Sequence, residues 1–211
     1  MIESEKDSVA HDRVLAGYAR EASSLTEAFE AISCETLYAP VRSYLPADRV
    51  NMLDIGAGTG RDAAWFAGQG HRVLAVEPVS EFRVAGLARH SSPSIHWLDD
   101  TLPALSNVLA RDECFDFILL NAVWHHLEQT SRQTALGTLA RLLKKGGFIV
   151  FSLRHGPGSA SRPAFKVSPS ELAASAAFFG IKKLFQTKAG SLQSGNRAVG
   201  VTWTWMVFQK V

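Results

Sequence analysis

The residues best suited to bind a ligand form a glycine-rich turn after a short apolar segment. Residues 51–62 read Asn-Met-Leu-Asp-Ile-Gly-Ala-Gly-Thr-Gly-Arg-Asp. Because glycine has no Cβ, a ligand can lie against the backbone of such a turn. The helix expected after the turn adds free amide groups and the positive end of its dipole. The pattern therefore predicts a cofactor site at the end of a strand.

The spacing of these glycines distinguishes between classes of cofactor. A dinucleotide site follows the pattern G-x-G-x-x-G, in which the third glycine lets the helix pack closely on the sheet. Here Gly56, Gly58 and Gly60 alternate with other residues, and the next position is Arg61. The turn is therefore a poor match to a nicotinamide dinucleotide site. A glycine turn without further support can also be purely structural.

Acidic residues follow the next two apolar segments. Glu77 comes directly after residues 73–76 and before Pro78, where a carboxylate can accept both hydroxyl groups of a ribose. Asp99 and Asp100 follow the third apolar segment, where one carboxylate can accept the amino group of an adenine. We expect the other to cap a helix, and the sequence does not decide between the two.

Apolar segments and helical patterns alternate along most of the chain. The apolar segments lie at residues 50–55, 71–76, 94–98, 115–120 and 148–153, and helical patterns separate them at residues 61–69, 80–89, 105–111 and 130–143. Five strands separated by helices predict a doubly wound parallel sheet with right-handed crossovers. The fourth segment is apolar apart from Asp116, as expected of a strand that is buried on both faces.

The two ends of the chain depart from this alternation. Residues 8–45 have a helical period, and a Ser-Pro-Ser-Glu capping pattern predicts another helix over residues 168–179. Strands predicted at residues 181–188 and 199–210 have no predicted helix between them. The loop of residues 189–198 is too short for a parallel crossover, so we expect these two strands to pair in antiparallel orientation.

The composition fits one globular domain that does not bind nucleic acid. The chain has 211 residues, of which 46% are hydrophobic and 20% charged, and its formal net charge is +2. Basic residues are dispersed apart from a local excess at residues 154–162. Two cysteines without metal-ligand spacing exclude a disulfide framework and predict no metal site. The polar N-terminus and the lack of a membrane-spanning apolar run predict a soluble, cytoplasmic protein.

Taken together, these motifs resemble those of the class I S-adenosylmethionine-dependent methyltransferases, from residue 18 to the end of the chain. The chain is similar in particular to a group of bacterial small-molecule-type methyltransferases. They share runs that correspond here to residues 61–65 (Arg-Asp-Ala-Ala-Trp), 97–103 (Trp-Leu-Asp-Asp-x-Leu-Pro), 122–126 (Ala-Val-Trp-x-His) and 152–157 (Ser-Leu-Arg-His-Gly-Pro).

The resemblance implies an α/β fold of the Rossmann-like kind. It implies a doubly wound seven-stranded sheet in the order 3-2-1-4-5-7-6, with strand 7 antiparallel, which agrees with the strands predicted at the C-terminal end. It also implies a single methyltransferase domain, in which residues 1–46 form an N-terminal helical lid and residues 47–211 form the core.

The resemblance further implies how the chain holds S-adenosylmethionine. The glycine turn shapes the methionine end of the site, Glu77 takes the ribose, and one of the two adjacent aspartates takes the adenine. Tyr18 closes over the carboxylate of the cofactor, and Arg61 either neutralises that carboxylate or lies exposed on its helix. The predicted cofactor residues are Tyr18, Asp54, Gly56, Ala57, Gly58, Gly60, Arg61, Glu77, Pro78, Asp99, Asp100, Asn121 and Ala122, the last two beside the sulfonium.

Two adjacent histidines are the candidate catalytic residues. His125 and His126 follow the fourth predicted strand, at the edge where open α/β sheets bind ligands. Either could take a proton from the methyl acceptor. The alternatives are contact with the acceptor without proton transfer and, for one of the two, a structural hydrogen bond in the turn.

Four other residues are candidates for binding the acceptor. Arg154 and His155 follow the fifth strand, and an arginine there can bind a carboxylate or phosphate through two hydrogen bonds. Arg197 lies between the last two strands and could join them. Trp124 could form an apolar wall of the site. The competing interpretations are loop anchoring for Arg154 and His155 and core packing for Trp124.

The expected reaction is methyl transfer from S-adenosylmethionine to a small molecule by in-line displacement, which leaves S-adenosylhomocysteine. Transfer to RNA, DNA or protein is less consistent with the sequence, because Asn121-Ala122-Val123-Trp124 differs from the Asn/Asp-Pro-Pro-aromatic turn that grips a flipped base. A non-catalytic protein that binds the cofactor is a third possibility. The sequence leaves open the acceptor atom and whether the chain is a monomer or a homodimer.

Overall fold

The computed structural model of the protein describes residues 2–211, with side chains described from Ala10 onward. Its strands are β1 (Asn51–Ile55), β2 (Arg72–Val76), β3 (Ile95–Leu98), β4 (Phe115–Asn121), β5 (Leu143–His155), β6 (Ile181–Gly190) and β7 (Thr202–Lys210). Its α-helices are α1 (Ile2–Glu30), α2 (Cys34–Tyr38), α3 (Arg61–Gly68), α4 (Ser80–Arg89), α5 (Ser106–Leu109), α6 (Gln129–Leu142), α7 (Pro169–Phe178) and α8 (Ser194–Ala198). Short 3-10 helices lie at Ala39–Tyr44 and Trp124–His126.

All seven strands form one sheet in the order β3-β2-β1-β4-β5-β7-β6. Strands β1 to β5 pair in parallel, and β7 lies antiparallel between β5 and β6. This confirms the predicted Rossmann-like topology and strand order. The carboxyl ends of β1, β2, β4 and β5 therefore meet at one edge of the sheet, where open α/β sheets bind ligands.

Apolar layers on both faces of the sheet hold the helices in place. Successive residues of the central strands alternate between the two layers: Met52 and Leu119 face one layer, and Leu53 and Leu120 face the other. All four side chains are fully buried. A central strand with helices on both faces has no polar side to present, which explains why β1 and β4 are almost continuously apolar.

The structure corrects the prediction of one helical region over residues 8–45. Helix α1 ends at Glu30, and a second helix begins after Ser33, whose side chain accepts a hydrogen bond from the backbone amide of Thr36. The apolar period continues through this break, so periodicity alone does not reveal it. The break matters because it brings α2 beside the glycine turn.

Two predictions in the second half of the chain were also wrong. The segment between β6 and β7 contains the five-residue helix α8, where no helix was expected. The antiparallel pairing of the flanking strands is nevertheless as predicted. The strand predicted at residues 148–153, after a helix over residues 130–143, begins earlier, because α6 ends at Leu142 and β5 begins at once with Leu143. Among the described residues, no helix is long and apolar enough to cross a membrane.

Helix α4 approaches the sheet so closely that a glycine is required at the contact. A Cβ at Gly86 would lie 2.8 Å from the backbone oxygen of Thr59 and would overlap the ring of Trp97. The same ring lies 2.6 Å from the position that a Cβ at Gly60 would occupy. Trp97 thus fills the space between α4 and the glycine turn.

We expect Gly86→Ala to lower the free energy of unfolding by about 1–3 kcal/mol, because a backbone oxygen cannot move aside cheaply. The matched control is Gly68→Ala at the end of α3, where an added Cβ meets nothing within 4 Å. That change is expected to be neutral or to stabilise by about 0.4–1 kcal/mol. Urea denaturation of both variants measures the difference. Equal stabilities would show that α4 can shift away from the sheet at little cost.

Candidate active site

The glycine turn between β1 and α3 has a backbone that only glycine adopts without strain. Gly56, Gly58 and Gly60 have φ values of 69°, 56° and 80°. The amides of Gly56 and Ala57 both donate to the carbonyl oxygen of Val76, at 2.8 and 3.0 Å, which fixes the turn against β2. A Cβ at Gly56 would lie 2.5 Å from a methyl group of Val123. The turn therefore presents bare backbone at the edge of the sheet.

Glu77 joins this turn to the end of β2. One carboxylate oxygen accepts a hydrogen bond from the amide of Gly58 at 2.8 Å, and the other accepts one from the amide of Val79 at 2.8 Å. The side chain is buried, and burial raises its pKa to about 7. Each oxygen has a second lone pair, so the carboxylate can still accept hydrogen bonds from a ligand.

Two adjoining cavities open beside the turn. The Glu77 cavity, of about 140 Å³, is lined by Glu77, Pro78, Val79, Phe82 and Leu102 among others. The Arg154 cavity, of about 390 Å³, has a wall formed by Arg154, Arg162, Trp203 and Trp205. Both cavities are lined by the residues Tyr18, Phe29, Gly56, Gly58, Asn121 and Ala122. An elongated ligand could therefore extend from one cavity into the other along the glycine turn.

Helix α1 covers the junction of the two cavities and is held there by Tyr18. Its hydroxyl lies 2.8 Å from Nε2 of His126, and Nδ1 of His126 lies 3.0 Å from the carbonyl oxygen of Pro163. Because a carbonyl only accepts, Nδ1 carries the proton, and Nε2 accepts from Tyr18. Burial lowers the pKa of His126 to about 4, which keeps the ring neutral. The guanidinium of Arg162 lies 5.0 Å from the centre of the Tyr18 ring.

Arg61 forms an ion pair next to the turn and is not exposed. Its Nη2 lies 2.6 Å from Asp62, and its Nη1 donates to the carbonyl oxygen of Phe29 at 2.8 Å. The other oxygen of Asp62 accepts from the amide side chain of Asn121 at 2.9 Å. The alternative of an exposed helical arginine is therefore wrong. Arg61 lines the Arg154 cavity with its charge already balanced.

Asp54 lies beneath this network and not in a cavity wall. Its side chain is buried, and one of its oxygens has no hydrogen-bond partner among the described residues. Burial and the neighbouring charge of Asp62 raise the pKa of Asp54. Ala122, by contrast, lines both cavities with an unusual φ of 61°, and its amide donates to the Ser152 hydroxyl at 2.8 Å. Backbone strain of this kind is often concentrated at functional sites.

The structure separates the two adjacent aspartates. Asp99 is exposed and forms an ion pair with Arg83 at 2.7 Å, outside both cavities. Asp100 lines the Glu77 cavity, and its carboxylate accepts hydrogen bonds from the amides of Thr101 and Val108 at 2.8 and 2.9 Å. The helix-capping role that we expected of one aspartate thus belongs to Asp100, which is also the one that a ligand can reach.

The two histidines face different cavities. His125 is buried in the wall of the Arg154 cavity, and its Nδ1 has no hydrogen-bond partner among the described residues. Burial, assisted by the charges of nearby cationic groups, holds the pKa of His125 well below its usual value. His126 instead lines the Glu77 cavity, with both ring nitrogens engaged. Of the two, only His125 lines the Arg154 cavity.

The predicted acceptor residues do not all reach a cavity. Trp124 is buried in the core against Phe151, with 5.2 Å between ring centres, so it is not a wall of either cavity. His155 lies 2.9 Å from the Thr204 hydroxyl, also away from both cavities. Arg197 donates to the carbonyl oxygens of Ser191 and Leu192 at 3.0 and 2.6 Å and anchors the loop after β6. Arg154 alone of the four lines the Arg154 cavity.

The sequence analysis missed several residues that line the Arg154 cavity. They come from α1, α2, α8, β7 and three loops, and are Phe29, Ile32, Leu37, Arg162, Leu192, Gln193, Asn196, Trp203 and Trp205. The alternation of Trp203 and Trp205 along β7 and the basic excess at residues 154–162 were the available signals. No group of residues able to hold a metal ion occurs in the part of the chain whose side chains are described.

Comparison with known proteins finds a domain match and a shared fold. Residues 53–151 match the profile of a methyltransferase domain. No curated protein matches the chain by sequence. The chain is similar to the 1,6-didemethyltoxoflavin-N1-methyltransferase of Burkholderia thailandensis, solved with 1,6-didemethyltoxoflavin and S-adenosylhomocysteine bound. The TM-score is 0.76 and the identity 21%, over 97% of this chain and 90% of that chain.

A second solved structure shares the fold. The N-methyltransferase NodS of Bradyrhizobium japonicum, in complex with S-adenosylhomocysteine, has a TM-score of 0.60 and 17% identity, over 83% of this chain and 84% of that chain. The domain match and the seven-stranded sheet confirm the predicted enzyme class and cofactor. Residues 53–151 thus match a methyltransferase domain, and the chain has the fold of the class I S-adenosylmethionine-dependent methyltransferases.

Proposed function

We propose that S-adenosylmethionine lies across the two cavities, with its adenosine in the Glu77 cavity and its methionine end along the glycine turn. The Glu77 carboxylate has lone pairs left for two ribose hydroxyls, and Val79, Phe82 and Leu102 offer apolar contacts to an adenine. Asp100 is the carboxylate within reach of the adenine amino group. Asn121 and Ala122, at the junction, are then beside the sulfonium.

The N-terminal segment, residues 1–46, acts in this proposal as a lid on the core of residues 47–211. Support comes from Tyr18 and Phe29, which line both cavities, and from Leu37, which lines one. The hydrogen bond from Tyr18 to His126 holds this segment closed. Opening of the lid would admit the cofactor, and its closure would exclude water from the reacting atoms.

The methyl acceptor in this proposal is a small molecule that occupies the Arg154 cavity. A volume of about 390 Å³, covered by α1 and by the loop after β6, suits a small molecule better than a polymer. The formal net charge of +2 gives no field to attract nucleic acid. The similar Burkholderia protein was solved with 1,6-didemethyltoxoflavin, which is consistent with this class of acceptor.

The cytoplasm is the proposed location of the protein. Support comes from Cys34 and Cys114, which are both free thiols, as is usual in a reducing compartment.

When bound, S-adenosylmethionine supplies a methyl group on a positively charged sulfur, and the protein chiefly aligns the acceptor with it. The glycine turn and Glu77 hold S-adenosylmethionine in this proposal, and the walls of the Arg154 cavity hold the methyl acceptor. An acceptor that carries a proton needs a base, and His125 is the neutral imidazole that lines this cavity. His126 acts in this scheme as a positioning residue, because Nε2 is engaged with Tyr18 of the lid and Nδ1 with the carbonyl oxygen of Pro163 in the loop after β5.

The proposed reaction can be tested directly with labelled cofactor. Purified protein is incubated with trideuteromethyl S-adenosylmethionine and a cell metabolite extract, and mass spectrometry then searches for labelled products. We expect label in compounds of low mass. Label in protein or RNA would favour a macromolecular acceptor, and binding of the cofactor without any transfer would favour a non-catalytic role.

Glu77→Gln is expected to weaken S-adenosylhomocysteine binding by about 1–3 kcal/mol, through loss of charge-assisted hydrogen bonds. Because the pKa of Glu77 is about 7, the carboxylate form becomes dominant only above that pH. Binding to the wild-type protein should therefore tighten between about pH 6 and pH 8, and binding to the variant should not. Calorimetric titration across this range measures both effects.

The exposed residue Glu113, on the opposite edge of the sheet, provides the control Glu113→Gln, which should keep the wild-type profile. Without ligand, a raised pKa means that folding favours protonated Glu77. The contribution of Glu77 to the free energy of unfolding should thus decrease as pH rises from 4.5, the ordinary pKa of a glutamate, towards 7. If Glu77→Gln binds as the wild type does at every pH, the ribose lies elsewhere.

His125→Gln is expected to lower kcat by about 10²–10⁴-fold, because glutamine cannot take a proton from the acceptor. The affinity for S-adenosylhomocysteine should stay within about twofold, since His125 lines the Arg154 cavity and not the Glu77 cavity. His96→Gln, at an exposed position of β3, is the matched control. A fall in kcat below about tenfold would leave His125 only as a contact of the acceptor.

A further inference from the structure

The charges that line the Arg154 cavity do not balance. Three arginines and one carboxylate are the charged side chains among its lining residues, all of which are described. Arg61 and Asp62 neutralise each other at 2.6 Å. Arg162 pairs with Glu21 of helix α1 at 2.9 Å, so Arg154 is the cation of this cavity that has no carboxylate partner among the described side chains. The cavity therefore carries an excess of positive charge.

Arg154 is a partly buried cation without a counter-ion. Its Nη1 donates to the carbonyl oxygen of Gly156 at 3.3 Å, and no ion pair joins it to a carboxylate among the described side chains. Burial, with the charge of Arg162 added, lowers the pKa of Arg154. A charge held away from water without a partner costs free energy, and an anion bound beside it would offset that cost.

Arg162 brings a second guanidinium to the same cavity. One of its terminal nitrogens lies 2.9 Å from Glu21 of helix α1, and its Nε is buried without a hydrogen-bond partner. The guanidinium packs on the ring of Tyr18. The lid thus holds Arg162 in place and leaves one of its N–H groups unsatisfied.

The position of Arg154 in the sheet places it away from the glycine turn. Strand β4 separates β5, which carries Arg154, from β1, which leads into the turn. Arg154 pairs in register with Trp203 of β7, so both side chains project from the same face of the sheet. Trp205 follows two residues later and lines the same cavity. A cation and two large rings thus line the cavity from β5 and β7, which lie beyond β4 as seen from the strand that leads into the turn.

We propose that the methyl acceptor is a small organic anion, with an apolar body that packs on Trp203 and Trp205 and a carboxylate or phosphate that Arg154 binds. Arg162 contributes a second donor to the same anionic group. This inference rests on the proposed function, because it names the acceptor class of the Arg154 cavity. The anionic group serves for recognition and is not the methylated atom.

The products of the labelled-cofactor reaction test this class. Every abundant product that carries the trideuteromethyl group is fragmented to reveal whether it contains a carboxylate or a phosphate. We expect one of these groups in the labelled small molecules. Labelled small molecules that contain neither group would overturn the anionic acceptor while leaving the proposed function intact. Absence of any labelled small molecule would overturn both.

Variants of Arg154 then test its role with the acceptor so identified. Arg154→Met should raise the KM for the acceptor by about 10- to 100-fold, as for loss of a charged hydrogen-bond donor. Arg154→Lys should have a KM between those of the wild type and Arg154→Met, because lysine keeps the positive charge and lacks the paired donors of the guanidinium. The Kd for S-adenosylhomocysteine should stay within about twofold of the wild-type value.

The control is Arg141→Met, at an exposed position at the end of α6, which should behave as the wild type. If Arg154→Met weakens S-adenosylhomocysteine binding as much as it raises KM, Arg154 belongs to the cofactor site and the inference fails. An unchanged KM in the same variant would equally exclude Arg154 from recognition of the acceptor.

Discussion

The hydrogen bond from the amide of Gly58 to the carboxylate of Glu77 is the interaction on which the candidate site depends. It joins the turn after β1 to the end of β2, so the carboxyl ends of these two parallel strands form one continuous edge at which a ligand can bind. A carboxylate buried at this point requires donors, and the amides of Gly58 and Val79 supply them. Burial raises the pKa of Glu77 to about 7 although these two amides act in the opposite direction, which makes the candidate site sensitive to pH.

Closure of the site depends on helix α1, which contributes little to the sheet. Tyr18 donates to His126, and His126 donates to the carbonyl of Pro163, so one chain of hydrogen bonds joins the lid, the loop after β4 and the loop after β5. Tyr18 is the donor in this pair only while His126 is neutral, and burial keeps the ring neutral by lowering its pKa to about 4. The proposed lid is thus held by the same loops that line the cavities.

The Arg154 cavity combines features that arise from distant parts of the sequence. Strand β7 supplies two tryptophans, and the loop after β5 supplies Arg162. The loop after β6 also lines this cavity, and Arg197 anchors that loop through hydrogen bonds to two of its carbonyl oxygens. Its positive charge is local, since the chain as a whole is nearly neutral. The proposed acceptor chemistry therefore follows from the position of individual charges and could not follow from composition.

The sequence by itself determined the alternation of strands and helices and the glycine turn, because the turn chemistry and the burial of central strands leave local, periodic marks. Glycines at positive φ and the acid after β2 are such marks. The strand order was implied by the resemblance to the class I methyltransferases. The break in the N-terminal helix, helix α8, the burial of Trp124 and the separate positions of His125 and His126 were decided by the tertiary structure. Adjacent side chains leave the backbone in different directions, and only packing between distant segments selects the cavity that each one faces.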